Sequence, residues 1–219
     1  MYTGHLSVYR RSLVERVGGF RSNYDFSQDY DLALRVTELT TRVHHIPELL
    51  YGWRAIAGSG AAGGKDFARE SNIAALQDAM DRRHITGKAV PLPAANRADR
   101  RGFMPTPLVS IIIPSDNGQH ITEAVRSIIE VTEYANYEIV IVTNSGLIDA
   151  LANLANESVR FAAFDNPFNF SAKCNVGAAS ALGDYYCFFN DDVRPISPDW
   201  IAALLEYGMM SDVGAVGAK

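Results

Sequence analysis

The sequence predicts an α/β fold built on a mainly parallel sheet, carried by the second half of the chain. From residue 108 onward, apolar runs of strand length alternate with segments of helical periodicity, and the links between them are short. The run at 111–113 is three consecutive isoleucines, so it is apolar on both faces, as a central parallel strand is. Three of the strands end in small polar residues, which is typical of the ligand-binding edge of such a sheet.

The first 56 residues predict a smaller α+β segment. We expect a strand at 4–10, then a short helix capped by Ser12 and a longer helix capped by Ser27. Asp29 falls in the first turn of the longer helix, where a carboxylate ordinarily interacts with the helix dipole. Two short extended pieces are predicted at 42–46 and 49–54.

Residues 57–107 are predicted to form a helical and proline-rich connector. The glycine- and alanine-rich stretch 57–64 is typical of a loop, and 65–84 has helical periodicity. The stretch 86–107 contains four prolines, which favour extended backbone, and one short strand is expected near 88–90.

The region 108–219 contains the regular alternation of strands and helices. In chain order these elements are predicted at 109–114, 121–131, 138–143, 147–156, 159–164, 171–182, 185–190, 200–209 and 214–218. Ser197 followed by Pro198 is a typical helix start, with the serine as the cap. Right-handed crossovers between these strands would give a mainly parallel sheet.

Composition narrows the class of protein. The chain has 219 residues, of which 47% are hydrophobic, and a net charge of −5, which argues against a nucleic-acid partner. The two cysteines have no metal-ligand spacing, so we expect free thiols and no disulfide. No apolar run approaches the roughly 20 residues of a membrane helix and no signal pattern begins the chain, so a cytoplasmic location is expected.

The polar strand ends are the candidate site. Ser115, Asn144 and the run from Asn190 to Asp192 each follow a predicted strand, and such ends converge on one edge of a parallel sheet. Asp191 and Asp192 repel each other, so a cation such as Mg²⁺ or Mn²⁺, or a hydroxyl-rich ligand, would fit between them. The same pair is also ordinary turn chemistry at the end of a strand. No dinucleotide, P-loop or nucleophile-elbow motif is present, which directs attention to nucleotide-sugar chemistry.

Several motifs in the second half together resemble a known family. They are VSIIIPS at 109–115, NYEIVIV at 136–142, FNFSA at 168–172 with Asn175, NDD at 190–192 continuing to SPDW at 197–200, and VGAVGAK at 213–219. In order and spacing they resemble the nucleotide-binding half of family 2 glycosyltransferases. The resemblance implies a GT-A fold, a nucleotide-sugar donor and a divalent cation, Mn²⁺ or Mg²⁺, at the diphosphate.

The N-terminal segment resembles the other half of the same family. GHLSVYRR at 4–11, VGGFR at 17–21, SQDYDLALR at 27–35 and HIP at 45–47 are similar to the acceptor-side stretch that normally follows the metal motif, and here they precede it. The resemblance therefore implies part of a tandem bacterial polysaccharide or O-antigen glycosyltransferase. Residues 1–56 would be the acceptor-side end of one domain, 57–107 a connector, and 108–219 the nucleotide-sugar-binding half of the next, an incomplete GT-A domain.

The resemblance also implies roles for individual residues. Asp192 matches the metal ligand, and Asp191 the residue that reaches the donor ribose or diphosphate. Asp29 matches the catalytic base that would deprotonate the acceptor hydroxyl in an inverting transfer. The remaining matches are four donor-side positions: Ser115, Asn144, Asn175 and Asn190. Among them, Ser115 and Asn144 match positions that contact the base and the ribose. The chain departs from the pattern at Thr143 and Asn144, where an aspartate is frequent, and at Asp116, where a larger or basic residue is usual.

Three functions are compatible with these matches, and they come from different classes. The first is a glycosyltransferase, or a fragment of one, that moves a sugar from a UDP-, dTDP- or GDP-sugar to a glycan acceptor. The second is a non-catalytic sugar-nucleotide-binding or scaffolding module, and a third is another nucleotide-binding α/β protein. The implied setting is the cytoplasm, with the inner face of the membrane as a candidate location and an exposed sheet edge as a candidate homodimer contact. We also hypothesise that residues 4–54 dock on that edge and bring Asp29 to Asp192; the alternative is that each half completes a different domain.

Overall fold

The computed structural model describes residues 6–52, 66–93 and 95–218. The chain divides into two units, Met1–Met104 and Pro105–Lys219, and each is described by itself. The predicted loop at 57–64 lies outside the described residues. The predicted connector, residues 57–107, falls almost entirely in the first unit.

In its described residues, the first unit contains three helices and a hairpin. Its elements are α1 (Arg11–Arg16), α2 (Gln28–Thr37), α3 (Asp66–Arg82), β1 (Lys88–Pro91) and β2 (Asn96–Asp99). Strands β1 and β2 pair antiparallel, so the single strand expected near 88–90 is one arm of a hairpin. Short 3-10 turns lie at Ser22–Tyr24 and Arg101–Phe103.

Ion pairs join α2 to α3 in this unit. Asp31 is fully buried, and Arg35 donates to its Oδ2 from Nε at 3.0 Å and from Nη2 at 2.6 Å. Arg21 also donates to Asp31, and to Asp78 on α3 at 2.5 Å. Burial alone would raise the pKa of Asp31, but these guanidinium hydrogen bonds hold it below its ordinary value. The buried carboxylate is therefore ionised and fixes the start of α2.

Three sequence predictions for this unit differ from the structure. No strand forms in 6–10, the described part of the strand expected at 4–10. Helix α1 begins at Arg11, so Ser12 lies inside it and caps nothing. Ser27 does occupy the N-cap position of α2, but its hydroxyl donates to the carbonyl oxygen of Ala68 at 3.0 Å and accepts from no amide of α2. Contact with α3 has replaced local capping there.

The second unit is a four-stranded parallel sheet with helices between the strands, which confirms the predicted α/β class. Its strand order is β5-β4-β3-β6, and the central strand β3 places Ile111 opposite Ile139 of β4 and Cys187 of β6. The elements are β3 (Val109–Pro114), α4 (Gly118–Val131), β4 (Tyr137–Thr143), α5 (Ser145–Ala150), β5 (Val159–Ala163), α6 (Phe170–Ser180), β6 (Tyr185–Phe188) and α7 (Trp200–Gly208).

Strands β3 and β4 form the core of the sheet. All six residues of β3 are buried, as are six of the seven residues of β4. Helix α6 packs closely on them through Gly177, where an added Cβ would lie 2.3 Å from Cγ2 of Ile112. This close approach brings the start of α6 to the carboxyl ends of β3 and β4.

A buried carboxylate stabilises the opposite edge of the sheet. Glu138 accepts hydrogen bonds from the Ser110 hydroxyl at 2.5 Å, from Nε of Arg160 at 2.7 Å and from the amide of Leu182 at 2.7 Å. Burial would raise the pKa of Glu138, but these donors hold it below its ordinary value. Glu138 thus connects β3, β4, β5 and the turn that leads into β6.

The end of the second unit differs from its prediction. No strand forms in the described residues 214–218, so the final predicted strand is wrong within that range. The helix expected at 147–156 is broken after Ala150 into a 3-10 turn at Ala152–Leu154. Helix α7 begins at Trp200 after Asp199, so Ser197 is not its cap. Within the described residues, no helix has the length and hydropathy needed to span a bilayer.

Candidate functional site

A cleft of about 420 Å³ lies at the carboxyl edge of the sheet in the second unit. It is bordered by the turn after β3, by the residues after β6 and by two aromatic side chains beside the start of α6. The lining residues are Pro114, Ser115, Asp116, Asn117, Phe168, Phe170, Asn190, Asp191 and Asp192. Ligand clefts of open parallel sheets occupy this edge.

Ser115 connects the two strand ends that border the cleft. Its side chain is buried, and its hydroxyl donates to the carboxylate of Asp191 after β6 while it accepts from the backbone amide of Asn117 at 3.0 Å. Asn117 in turn caps α4, because its Oδ1 accepts from the amides of Gln119 and His120 at 3.1 and 3.2 Å. The turn after β3 is therefore held from both sides.

The Asp191–Asp192 turn is anchored by aromatic residues on either side. The amide of Phe189 donates to the carbonyl oxygen of Ile112 at 2.9 Å, which extends the pairing beyond β6. The rings of Phe189 and Trp200 pack with centroids 5.9 Å apart, and the Trp200 indole donates to the Thr132 hydroxyl at 2.9 Å. The packed rings fix the turn although both of its carboxylates reach solvent.

The two carboxylates of this turn differ in their partners. Asp191 Oδ2 accepts from Ser115 and lies 3.5 Å from Nδ1 of His120, which suits a weak ion pair when the histidine is protonated. Asp192 is exposed and makes no hydrogen bond or ion pair with any described residue. Both also line a second, polar cleft of about 480 Å³ against α4, where Arg126 is among the lining residues.

A buried lysine lies beneath the first cleft. The side chain of Lys173 is 0% exposed, and its ammonium donates to Asp116 Oδ1 at 2.7 Å and to the carbonyl oxygens of Ser115 at 3.1 Å and Val142 at 3.2 Å. Its three donors are thereby used, and the ends of β3 and β4 are tied to α6. The rings of Phe164 and Phe168 lie 5.4 and 5.6 Å from the ammonium, a cation–π distance.

Asp116 is the partner of that lysine and also lines the cleft. Besides the bond from Lys173, Asp116 Oδ1 accepts a hydrogen bond from the side-chain nitrogen Nδ2 of Asn144 at 3.2 Å. The same oxygen lies 3.4 Å from the Thr143 hydroxyl. Burial would raise the pKa of Asp116, but the hydrogen bonds from Lys173 and Asn144 hold it below its ordinary value. Its side chain is 32% exposed, and Oδ2 accepts from no described residue. The cleft therefore contains an ionised carboxylate with one oxygen in use and one available.

Four of the seven candidate residues meet at this cleft: Ser115, Asn190, Asp191 and Asp192. Asn144 does not line it, because both polar atoms of its side chain are used elsewhere. Its Oδ1 accepts from the backbone amide of Leu147 and so caps α5, and its Nδ2 donates to Asp116. Asn175 is exposed on α6 and is outside the described lining. Asp29 belongs to the first unit, where its Oδ1 accepts from the amide of Tyr30 at 2.8 Å.

Sequence reasoning assigned no role to Lys173, Phe168 or Phe170. A lysine between Ala172 and Cys174 has no pattern that distinguishes it from a solvent-exposed helical lysine. Both phenylalanines stand in the FNFSA motif, but the motif alone does not show that their rings border a cleft.

The cleft offers few ligands of its own to a metal ion. Within the described parts of the chain, no group of three or more His, Cys, Asp and Glu side chains is placed to hold one. Asp192 nevertheless presents a carboxylate without a partner, and Mg²⁺ is commonly bound by one or two carboxylates together with substrate phosphates and water. The residues present fit a divalent cation that a phosphate ligand shares.

Comparisons with known proteins place these features in context. The family model described as "Glycosyl transferase family 2" matches residues 110–216. An uncharacterized protein of Sinorhizobium fredii, y4gI, is 37% identical over 236 residues, an alignment that covers all of this chain and 25% of that protein. O-antigen biosynthesis protein RfbC of Myxococcus xanthus is 31% identical over 226 residues, covering all of this chain and 18% of that protein. The chain thus spans a quarter or less of these relatives.

A solved structure also shows similarity to part of the chain. It is mannosyltransferase PcManGT from Pyrobaculum calidifontis in complex with GDP-Man and Mn²⁺. The match covers 52% of this chain and 39% of that one, at 19% identity and a TM-score of 0.46.

Proposed function

Residues 110–216 of this chain belong to glycosyl transferase family 2, and from that premise we propose that the cleft binds the nucleotide-diphosphate part of a sugar donor. The sugar would then pass to a glycan acceptor. The observation that carries the proposal is the bond from Ser115 to Asp191, which fixes a polar strand end beside the unpartnered carboxylate of Asp192.

The charge of the cleft supports a divalent cation as part of the bound donor. Three carboxylates line it, those of Asp116, Asp191 and Asp192, and no lysine or arginine is in its described lining. Lys173 balances Asp116, so two negative charges remain at the Asp191–Asp192 turn. A diphosphate would be repelled there unless a cation came with it. We propose that Asp192 is the protein ligand of Mn²⁺ or Mg²⁺, which when bound would neutralise charge on the diphosphate leaving group.

Asp29 is the proposed base for the acceptor hydroxyl. The support is the resemblance of 27–35 to the acceptor-side stretch and the position of Asp29 in the first turn of α2. Removal of the hydroxyl proton as oxygen attacks the anomeric carbon would give an inverting transfer. Because Asp29 and Asp192 belong to different units, we assign only donor binding to the cleft itself.

A donor panel tests the proposed function. The full chain would be titrated with UDP-, dTDP- and GDP-sugars with and without Mn²⁺ by isothermal calorimetry, and release of free nucleoside diphosphate would be followed in parallel. We expect saturable, Mn²⁺-dependent binding of at least one donor. Failure of every donor to bind would refute the proposal. Binding without release, even with glycan acceptors present, would favour the non-catalytic binding module, and competition by dinucleotides would favour another class of nucleotide-binding protein.

A further inference from the structure

We propose that Phe26 contacts the acceptor glycan, and that its ring stacks on the apolar face of the pyranose whose hydroxyl meets Asp29. The inference rests on the proposed function and deepens it, since it names a residue that recognises the acceptor. Phe26 would be a specificity-determining residue, and Asp29 would remain the base.

Phe26 has an unusual backbone conformation. Its φ of 70° lies in the left-handed region, which glycine adopts freely and which a bulky side chain adopts only at a cost in stability. It comes directly before Ser27, the N-cap residue of α2. Residues in such conformations persist where the surrounding structure fixes them, and they are concentrated at functional sites.

The residues on either side of Phe26 are held in place. The backbone amide of Ser27 donates to the carbonyl oxygen of Tyr24 at 2.9 Å, and the buried Ser27 hydroxyl donates to a carbonyl oxygen of α3. Cζ of Arg21 lies 4.5 Å from the centre of the Tyr24 ring, and Nε of Arg21 donates to Asp31 of α2 at 3.2 Å. The turn that contains Phe26 is therefore fixed from both sides, which maintains its strained backbone.

The Phe26 side chain is largely left in solvent. The residue is 64% exposed. An apolar residue in the position before an N-cap ordinarily packs against the fourth residue of the helix. In α2 that residue is Asp31, an ionised carboxylate bound by Arg21 and Arg35, so it offers no apolar surface. Burial therefore does not explain why a phenylalanine occupies this strained position.

The proposed base lies in the first turn of the same helix. Asp29 is the second residue of α2, three positions after Phe26, and it is half-buried. Its Oδ1 accepts from the amide of Tyr30, whereas Oδ2 accepts from no described residue. A hydroxyl that reaches Oδ2 would bring its sugar ring to the end of α2 at which Phe26 is exposed.

The chemistry of a pyranose suits an aromatic ring beside a carboxylate. Its hydroxyl groups donate hydrogen bonds to the carboxylate, while the C–H groups on one face of the sugar form an apolar surface. An aromatic ring packs on such a surface, and its negative face attracts the C–H hydrogens. A glycine at position 26 would relieve the backbone strain but remove this contact. Stability and glycan binding therefore make opposite demands on position 26.

Saturation-transfer NMR on the full chain tests the inference. The probes are hexasaccharides of glucose, of mannose and of galactose, titrated without a donor so that no transfer is needed. We expect at least one of them to bind, and Phe26→Gly to weaken its binding at least about fivefold, the scale of one aromatic contact. The melting temperature of Phe26→Gly should equal or exceed that of the unchanged protein, because glycine adopts a φ of 70° without steric cost.

Two further variants separate the ring from the backbone. Phe26→Tyr keeps an aromatic ring on the same strained backbone, so it should bind the hexasaccharide to within about twofold of the unchanged protein. Phe103→Ala is the matched control, since Phe103 is 56% exposed in the same unit and has no positive φ. It should change neither the affinity nor the melting temperature.

The outcomes separate this inference from the proposed function. If no hexasaccharide binds, or if the folded Phe26→Gly variant keeps its affinity, Phe26 does not contact the glycan, and donor binding is judged by its own titration. If a hexasaccharide binds through Phe26 but no donor binds, the proposed function fails and the glycan contact stands. If Phe26→Gly does not fold, Phe26→Asn replaces it, because asparagine also tolerates this φ, and retained affinity there would overturn the inference.

Discussion

At the scale of single residues, the cleft depends on side chains that are already held before any ligand arrives. Ser115 holds Asp191, and Lys173 holds Asp116 together with the ends of two strands. Side chains fixed in this way lose little further freedom on binding, so more of the interaction energy remains for affinity. Asp192 is the exception, since its carboxylate has no described partner.

This difference predicts unequal effects at the two adjacent carboxylates. Asp192→Asn should weaken Mn²⁺-dependent donor binding more than Asp191→Asn does, because it removes the charged oxygen that is available to a cation. Asp191 already accepts from Ser115, and an asparagine carbonyl can keep that bond. Calorimetric titration of a donor with and without Mn²⁺ measures both effects. Equal donor affinity with and without Mn²⁺ in the unchanged protein would contradict the prediction.

Glu138 predicts a pH dependence of stability. Its folded pKa lies below the ordinary value, so its contribution to the free energy of unfolding is complete above the unfolded pKa of about 4.3 and is lost as pH falls through the folded pKa. Glu138→Gln should lower the free energy of unfolding by about 1–3 kcal/mol at pH 7 and flatten its decline in acid. Urea unfolding from pH 7 to pH 3 checks this. The exposed Glu157→Gln is the control, and an equal loss there would disprove the specific role of Glu138.

At the scale of elements, the contact between α6 and the sheet sets the position of Lys173. An alanine at Gly177 would place its Cβ 2.3 Å from Cγ2 of Ile112 and 3.0 Å from Cγ2 of Val142. We expect Gly177→Ala to lower the free energy of unfolding by about 1–3 kcal/mol through overpacking, more than the gain in helix propensity of about 1 kcal/mol. Urea unfolding gives the value.

The control for this substitution is Gly146→Ala in α5. There the nearest atom to an added Cβ is Asn144 Oδ1 at 3.4 Å, an ordinary contact. This change should be neutral or slightly stabilising. Similar losses for both glycines would show that the packing of α6 on β3 and β4 is not the cause.

Elements with strong local patterns were predictable from sequence. The buried runs of β3 and β4 and the apolar face of α4 were located to within a few residues, because burial on both faces of a strand gives an unbroken apolar run and burial of one helix stripe gives a 3.6-residue period. The caps were less predictable. Ser12 and Ser197 have capping residue types, but their helices begin elsewhere, and the Ser27 hydroxyl bonds to Ala68 of α3 instead of to its own helix.

The site was only partly predictable for a similar reason. Polar residues at strand ends converge by topology, so Ser115, Asp191 and Asp192 could be placed together from sequence. The donation from Asn144 to Asp116, and the burial of Lys173 beneath both, depend on side-chain direction across three elements. No spacing rule in a single sequence encodes that direction.

At the scale of the whole molecule, the cleft is contained in one unit. Every described residue that lines it lies between 114 and 192, within Pro105–Lys219. We therefore expect residues 105–219 expressed alone to fold and to bind the same nucleotides with unchanged affinity. Circular dichroism and calorimetry on the shortened chain check this. A folded fragment that has lost binding would show that residues 1–104 contribute to the site.

The cleft depends on the docking of strand β6 at the edge of the sheet. This strand is four residues long, pairs with β3 alone among the described strands, and exposes Tyr186 and Phe188. Short edge strands open at lower free-energy cost than central ones. Detachment of β6 would carry Asp191 and Asp192 away from Ser115, so the cleft exists only while this strand is docked. A bound nucleotide would therefore stabilise the docked position of β6. Amide exchange in β6 should slow in proportion to the nucleotide concentration divided by the dissociation constant of the nucleotide, and exchange in β4 should stay almost unchanged.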